Sequence, residues 1–188
     1  MRIMGRGAGT VAPMTKGKCG PPGKQDMTTD EAVSRQQIAA LTLAYCRGID
    51  RADEALLKSI FHDDSIVVSG AFDGNGQQFA AEICAIVRAV FDQTLHSIDH
   101  QWIKVTGDTA IGETYVVAVS TMTDLERGKS EMLTGGRYLD QFTRRDGIWK
   151  FAARTFVSEW SRIDGTSCTD DAPSATPGAP DHPAARWH

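Results

Sequence analysis

The feature that most restricts the fold of this chain is a change of hydrophobic period at Leu95. Before it, apolar residues recur at spacings of three and four; after it they alternate. Amphipathic helices followed by long strands have to stack as layers, because each element must bury its apolar face against another. The expected architecture is therefore α+β, with three N-terminal helices covering the concave face of a curved antiparallel sheet.

The helices read as residues 30–48, 52–61 and 77–92. In the first, Ile38, Leu41, Tyr45 and Ile49 share one face, Thr28 or Thr29 can cap it, and Gly48 is a stop signal. Ala55, Leu56, Ile60 and Phe61 mark the second helix, which is expected to end at His62-Asp63-Asp64. Phe79, Ile83, Ile86, Val87 and Val90 mark the third. Residues 65–70 read as a short strand and Asp73-Gly74-Asn75-Gly76 as a turn. Long strands follow at 96–105, 109–122, 132–144 and 148–160, the last two joined by an Arg145-Asp146-Gly147 hairpin.

At 188 residues the chain is expected to hold one domain, over residues 27–164. Residues 1–26 lack a continuous apolar stretch and read as a disordered extension. Residues 165–188, rich in Gly, Ser, Pro, Ala and Asp, read as a disordered tail. A net charge of −4 without a basic patch argues against nucleic acid as a partner. No apolar run approaches the ~18–20 residues of a membrane span. Cys19, Cys46, Cys84 and Cys168 are scattered without a CxxC pair, which fits free thiols in a reducing cytoplasm.

Tyr45 and Asp50 lie five residues apart at the end of the first helix. An aspartate there is commonly a solvated cap or ion-pair partner. His96, Ile98, His100 and Trp102 alternate, so the strand period puts all four on one face. Two histidines and a tryptophan there suggest a lined pocket, although a lone histidine on such a face is usually structural. Spacing of four between His96 and His100 suits a zinc site on a helix rather than a strand, and no Glu motif or further ligand accompanies it, so no metal is expected. There is no Gly-x-Ser-x-Gly elbow, Cys46 has no evident basic neighbour, and the glycine-rich segments do not fit a dinucleotide loop. No cofactor is implied.

From Arg35 to Ile163 the chain resembles the SnoaL-like branch of the nuclear transport factor 2 (NTF2-like) superfamily. The resemblance is carried by Arg35-Gln36-Gln37-Ile38, the stretch Tyr45 to Asp53, Leu57 to Asp64 and Thr94-Leu95-His96. Gly107-Asp108-Thr109-Ala110, Glu113-Thr114-Tyr115, Gly135 to Asp140 and Arg144 to Arg154 continue it. It implies a cone-shaped, cystatin-like fold around a pocket. The order of elements is similar to that of bile acid 7α-dehydratases, hexachlorocyclohexane dehydrochlorinase and, more remotely, scytalone dehydratase.

That likeness implies a catalytic dyad, His96 as base and Asp50 as its partner. It also implies Tyr45 or Arg154 as the oxygen donor in the cavity. Tyr45 stands where the dehydrochlorinase has a lysine, which argues against dehydrohalogenation. Many relatives carry asparagine where this chain has His100. His100, Trp102, Tyr115 and Tyr138 are expected to contact substrate.

The implied activity is a cofactor-independent dehydratase acting on a hydrophobic alicyclic or steroid-like hydroxy-carbonyl compound. An isomerase of the ketosteroid type and a non-catalytic binding or assembly domain are the alternatives. Relatives associate as dimers or trimers through the convex sheet face. Alternation along Val116, Ala118 and Ser120 is compatible with such an interface.

Overall fold

The structure, a computed structural model, describes residues 27–124 and 128–164. The expected extension and tail, with Cys19 and Cys168, lie outside the described residues, as does the centre of the charged link between the second and third long strands. The elements run α1 (Thr29–Asp50), α2 (Glu54–Ile60), β1 (Phe61–Ser69), β2 (Phe72–Asn75), α3 (Gly76–Val90), β3 (Gln93–Thr106), β4 (Thr109–Asp124), β5 (Gly128–Arg145) and β6 (Ile148–Asp164). The strands form one sheet in the order β2-β1-β6-β5-β4-β3. Neighbours pair antiparallel except β1 with β6, which is parallel. The α+β architecture is as the period change implies. No helix among the described residues is long and apolar enough to cross a membrane.

Three local expectations are corrected. Gly48 does not stop α1, which runs on to Asp50, and the left-handed residue at its end is Ala52. His62-Asp63-Asp64 lies within β1 rather than ending a helix. Phe61 is fully buried and paired with Phe151 of β6, so sheet burial overrides its helical spacing. Asp73-Gly74-Asn75 is strand β2, not a turn. The reversal sits just before it, where Gly70 takes a positive φ of 59°. Asn75 instead caps α3, its side-chain oxygen accepting from the N–H of Gln77 at 2.8 Å.

Thr28 caps α1, accepting from the N–H of Glu31 at 3.1 Å, and Asp30 and Glu31 occupy the first turn. The core lies between the helices and the inner sheet face. Its aromatic centre is Tyr45, Phe61, Phe79 and Phe151, with neighbouring ring centroids 5.1–6.3 Å apart.

Gly48 lets α1 and α2 approach closely: a Cβ there would stand 2.6 Å from Leu57 Cδ2. Leu57 is fully buried, so it can give way only by displacing its own packed neighbours. Gly48→Ala is expected to destabilise the fold by about 1–3 kcal/mol, read as a lower denaturant midpoint at unchanged slope. An unchanged midpoint would mean that the two helices separate at little cost.

A β-bulge in β3 sets which residues face the helices. Opposite β4, the register runs from Gln93↔Thr121 to Ile98↔Val116 and resumes at Gln101↔Thr114, one residue out of step. Thr94, His96 and Ile98 face inward before the bulge, and Gln101, Ile103 and Val105 after it. Gln101 donates to the hydroxyls of Thr42 (2.8 Å) and Thr114 (3.1 Å) in the interior. His96, Ile98, His100 and Trp102 therefore do not share a face.

Candidate active site

Asp50 is the last residue of α1, and the way that helix ends sets where its carboxylate points. The N–H of Asp53 donates to the Gly48 carbonyl (2.8 Å) and that of Ala52 to Ile49 (2.9 Å). Ala52 takes the left-handed conformation, with φ of 49°. This pattern of crossed bonds reverses the chain at once and satisfies the last carbonyls of the helix. Arg88 of α3 donates to the Ala52 carbonyl and ties the reversal down.

Across from it, β3 presents His96. Its backbone N–H donates to both carboxylate oxygens of Asp50, at 3.1 Å each, and its ring Nδ1 lies 2.6 Å from Oδ1. Backbone and side chain of one residue thus clamp one carboxylate. An ionised carboxylate only accepts, so Nδ1 carries the proton and Nε2 is left as a base. The side chains of His96 and Asp50 are 14% and 19% exposed, enough for His96 to reach the cavity beside it.

That cavity, of about 210 Å³, lies between α1, α3 and the inner faces of β3, β4 and β5. Ile49, Phe79, Val87 and Phe156 make its wall largely apolar, and the hydroxyls of Thr94 and Ser120 interrupt it. Tyr45 and Tyr138 also line it. Burial pushes the Tyr45 phenol up to about 12 against the opposing pull of the Arg154 charge. Tyr138 is raised well above the usual tyrosine value, again chiefly by burial. Both phenols remain protonated at neutral pH and can donate.

Arg154 does not line this cavity. Its side chain is fully buried in the layer behind it, with Nε and Nη2 donating to the two oxygens of Asp140 at 2.7 and 2.8 Å. The guanidinium lies 3.9 Å from the Tyr45 ring centre, 4.2 Å from Tyr138 and 4.3 Å from Phe151. Nη1 is buried without a hydrogen-bond partner. Burial raises the Asp140 carboxyl, with Arg154 pulling the other way.

Other expected contacts face outward. The His100 side chain is 78% exposed, with Asp99 within 3.0 Å and its ring against Tyr115. Trp102 and Tyr115 are exposed on the outer sheet face, where Arg137 stacks on Tyr115 and pairs with Glu113. The bulge turns His100 and Trp102 out, and Tyr115 follows from the alternation of β4. By the same alternation Val116, Ala118 and Ser120 line the cavity rather than the convex face. Among the expected contacts, Tyr45, His96 and Tyr138 come together at the cavity and Asp50 stands directly behind His96.

Asp140, Thr94 and Ser120 acquire places here that residue type did not announce. Asp140 lies directly opposite Arg154 in the β5–β6 ladder, and Thr94 opposite Ser120 in the β3–β4 ladder. Among the described residues, no cluster of three or more His, Cys, Asp or Glu is arranged to hold a metal ion. Cys46 and Cys84 are buried free thiols, both raised in pKa chiefly by burial.

Comparison with known proteins gives these features a family. Gamma-hexachlorocyclohexane dehydrochlorinase of Sphingobium indicum is 24% identical over 136 residues, covering 70% of this chain and 84% of its own length. The crystal structure of a type 2 hexachlorocyclohexane dehydrochlorinase superposes with a TM-score of 0.67 at 23% identity, over 73% of this chain and 93% of the other. A candidate scytalone dehydratase from Novosphingobium aromaticivorans superposes with a TM-score of 0.64 at 22% identity, over 74% and 94%. At these identities the superpositions establish a shared fold, the cystatin-like α+β cone. The SnoaL-like domain itself matches residues 30–155, from the first turn of α1 into β6. The chain therefore belongs to the SnoaL-like family.

Proposed function

We propose that this protein is a cofactor-independent lyase that removes water from a compact alicyclic hydroxy-carbonyl compound, with His96 as general base. The observation that carries this reading is the 2.6 Å contact of Asp50 with His96 Nδ1 at the wall of an apolar cavity. Nε2 takes the proton from the carbon α to the carbonyl, and the electron pair moves onto the carbonyl oxygen. The Tyr45 hydroxyl donates to that oxygen. The pair then returns to form the carbon–carbon double bond as the β C–O bond breaks, and the imidazolium proton leaves with the hydroxide as water. General-base assistance of this kind is worth roughly 10²–10⁴-fold. A buried donor aimed at the growing charge adds to it.

Arg154 serves in this scheme as a positioning residue. Stacked on Tyr45 and Tyr138, it places positive charge behind the phenol that receives the developing negative charge. Tyr45, a neutral donor where the dehydrochlorinase has a lysine, favours an oxygen-bearing substrate over a halogenated one. The cavity, about 210 Å³, is smaller than the ~300–1,000 Å³ of sites for drug-sized ligands, which favours one or two rings over a complete steroid nucleus.

The test is a turnover screen of cyclic β-hydroxy ketones, hydroxysteroids and their thioesters, followed by mass spectrometry. Loss of water by the wild type supports the lyase. A product of unchanged mass with a shifted double bond would assign the isomerase instead, and binding without any turnover would assign a binding domain. The buried thiols of Cys46 and Cys84 suit a reducing compartment, and a cytoplasmic protein is the corresponding expectation.

Association into a homodimer or homotrimer belongs to the same proposal. The outer sheet face exposes Tyr115, Val117, Leu139, Val157 and Trp160, an apolar surface interrupted by Arg137 and its acidic partners. Val117→Arg at its centre is expected to give a monomer by native mass spectrometry where the wild type is a dimer or trimer. A monomeric wild type would remove this part of the reading.

A further inference from the structure

Beside the base, the cavity carries a second polar device with the chemistry of an oxygen site. Thr94 and Ser120 face each other across β3 and β4, both buried, with their hydroxyl oxygens 2.8 Å apart. Both line the cavity. Two hydroxyls hold two protons, and one is used between them. That is their one side-chain hydrogen bond among the described residues, so the second proton is available to an acceptor in the cavity.

The sheet register locates this pair relative to the rest of the site. Counting inward along β4, Ser120 is followed on the same face by Ala118 beside His96, then Val116 beside Ile98, then Thr114 opposite Tyr138. The hydroxyl pair therefore stands about 7 Å along the strand from the base, and the Tyr45–Tyr138 aromatic pair lies on the opposite side of the base. Ala118 between them is small and leaves the floor open. A molecule lying along this axis meets the hydroxyl pair at one end and the base about 7 Å further on, with the aromatic pair beyond the base.

We infer that the Thr94–Ser120 pair is a specificity site for a second oxygen of the substrate, at the end away from the carbonyl held by Tyr45. This rests on the lyase reading for the role of Tyr45, and it narrows the substrate class to compact alicyclic ketones that also carry a hydroxyl or carbonyl across the ring. A ligand without that oxygen leaves a buried donor unpaired. This costs roughly 10–100-fold in affinity.

The experiment compares 4-hydroxycyclohexanone with cyclohexanone by protein-observed NMR titration. It uses the wild type, Thr94→Val, Ser120→Ala and the double variant, each checked for folding by its thermal transition. The wild type is expected to bind the hydroxylated probe roughly 10–100-fold more tightly. The double variant is expected to bring that ratio close to one, and Thr94→Ser, which keeps the hydroxyl, to preserve it. A wild type that takes both probes equally or neither, or a double variant that keeps the preference, overturns the inference. Because the readout is binding, it separates from the lyase reading. A wild type with the preference that turns over no hydroxy ketone would retain the oxygen site and end the dehydratase, whereas turnover lost in His96→Ala with equal probe binding would do the reverse.

Discussion

His96→Ala is expected to lower kcat/KM for water loss by roughly 10²–10⁴-fold while leaving the fold intact. His96 lies outside the hydrophobic core cluster, its ring lines a cavity that already exists, and its backbone N–H still holds Asp50 when the ring is removed. The partner substitution Asp50→Asn is expected to fall in the same range for a geometric reason. Both carboxylate oxygens accept from His96, one from the backbone alone and the other from backbone and ring together. An amide has only one acceptor. With its NH₂ toward the backbone, two donors face each other. Turned the other way, it faces Nδ1, forces the proton onto Nε2 and removes the base. Steady-state kinetics beside far-UV circular dichroism would check both variants. Activity that survives in His96→Ala would show that another group takes the proton, and the dyad would then be structural.

Asp140→Ala is expected to be the most destabilising single substitution in the site, by about 3–5 kcal/mol. It leaves the Arg154 guanidinium fully buried among Tyr45, Tyr138 and Phe151 with no counter-charge. Replacing both partners with leucine is expected to recover most of the loss, since an apolar pair of similar volume carries no desolvation cost. Chemical denaturation of the single and double variants would read this directly. A mild effect of Asp140→Ala, below about 1 kcal/mol, would mean that water reaches Arg154 and that its charge is not confined behind Tyr45. The pair thus acts less as a source of stability than as a means of holding charge where the proposed chemistry needs it.

These two expectations depend on different kinds of information. Tyr45 and Asp50 are close in the chain, and their places follow from helical spacing; the helix end itself falls beyond Gly48, where Ala52 rather than a glycine takes the left-handed turn. His96 opens an alternating segment, and resemblance to the family joined it to Asp50 from 46 residues away. The hairpin at Arg145-Asp146-Gly147 was legible too, and its register, read outward from Arg145↔Ile148, is simple arithmetic. That arithmetic pairs Asp140 with Ala153. The register instead shifts between Gln141 and Phe142, so that Asp140 stands opposite Arg154. One residue of slip creates the buried ion pair.

The bulge in β3 has the same character. Unbroken alternation would keep His100 and Trp102 on the face of His96; the extra residue after Ile98 turns them to solvent and brings Gln101 in. Period, turn chemistry and helix caps are local, since each depends on residues within a few positions, and so the layers, the order of elements and the Tyr45–Asp50 spacing could be read from the chain. Bulges are settled by packing between strands far apart in sequence, because slipping by one residue exchanges every side chain beyond it between core and solvent. Which hydroxyls line the cavity, which histidine remains inside and which carboxylate meets Arg154 were therefore decided only when the strands were laid side by side.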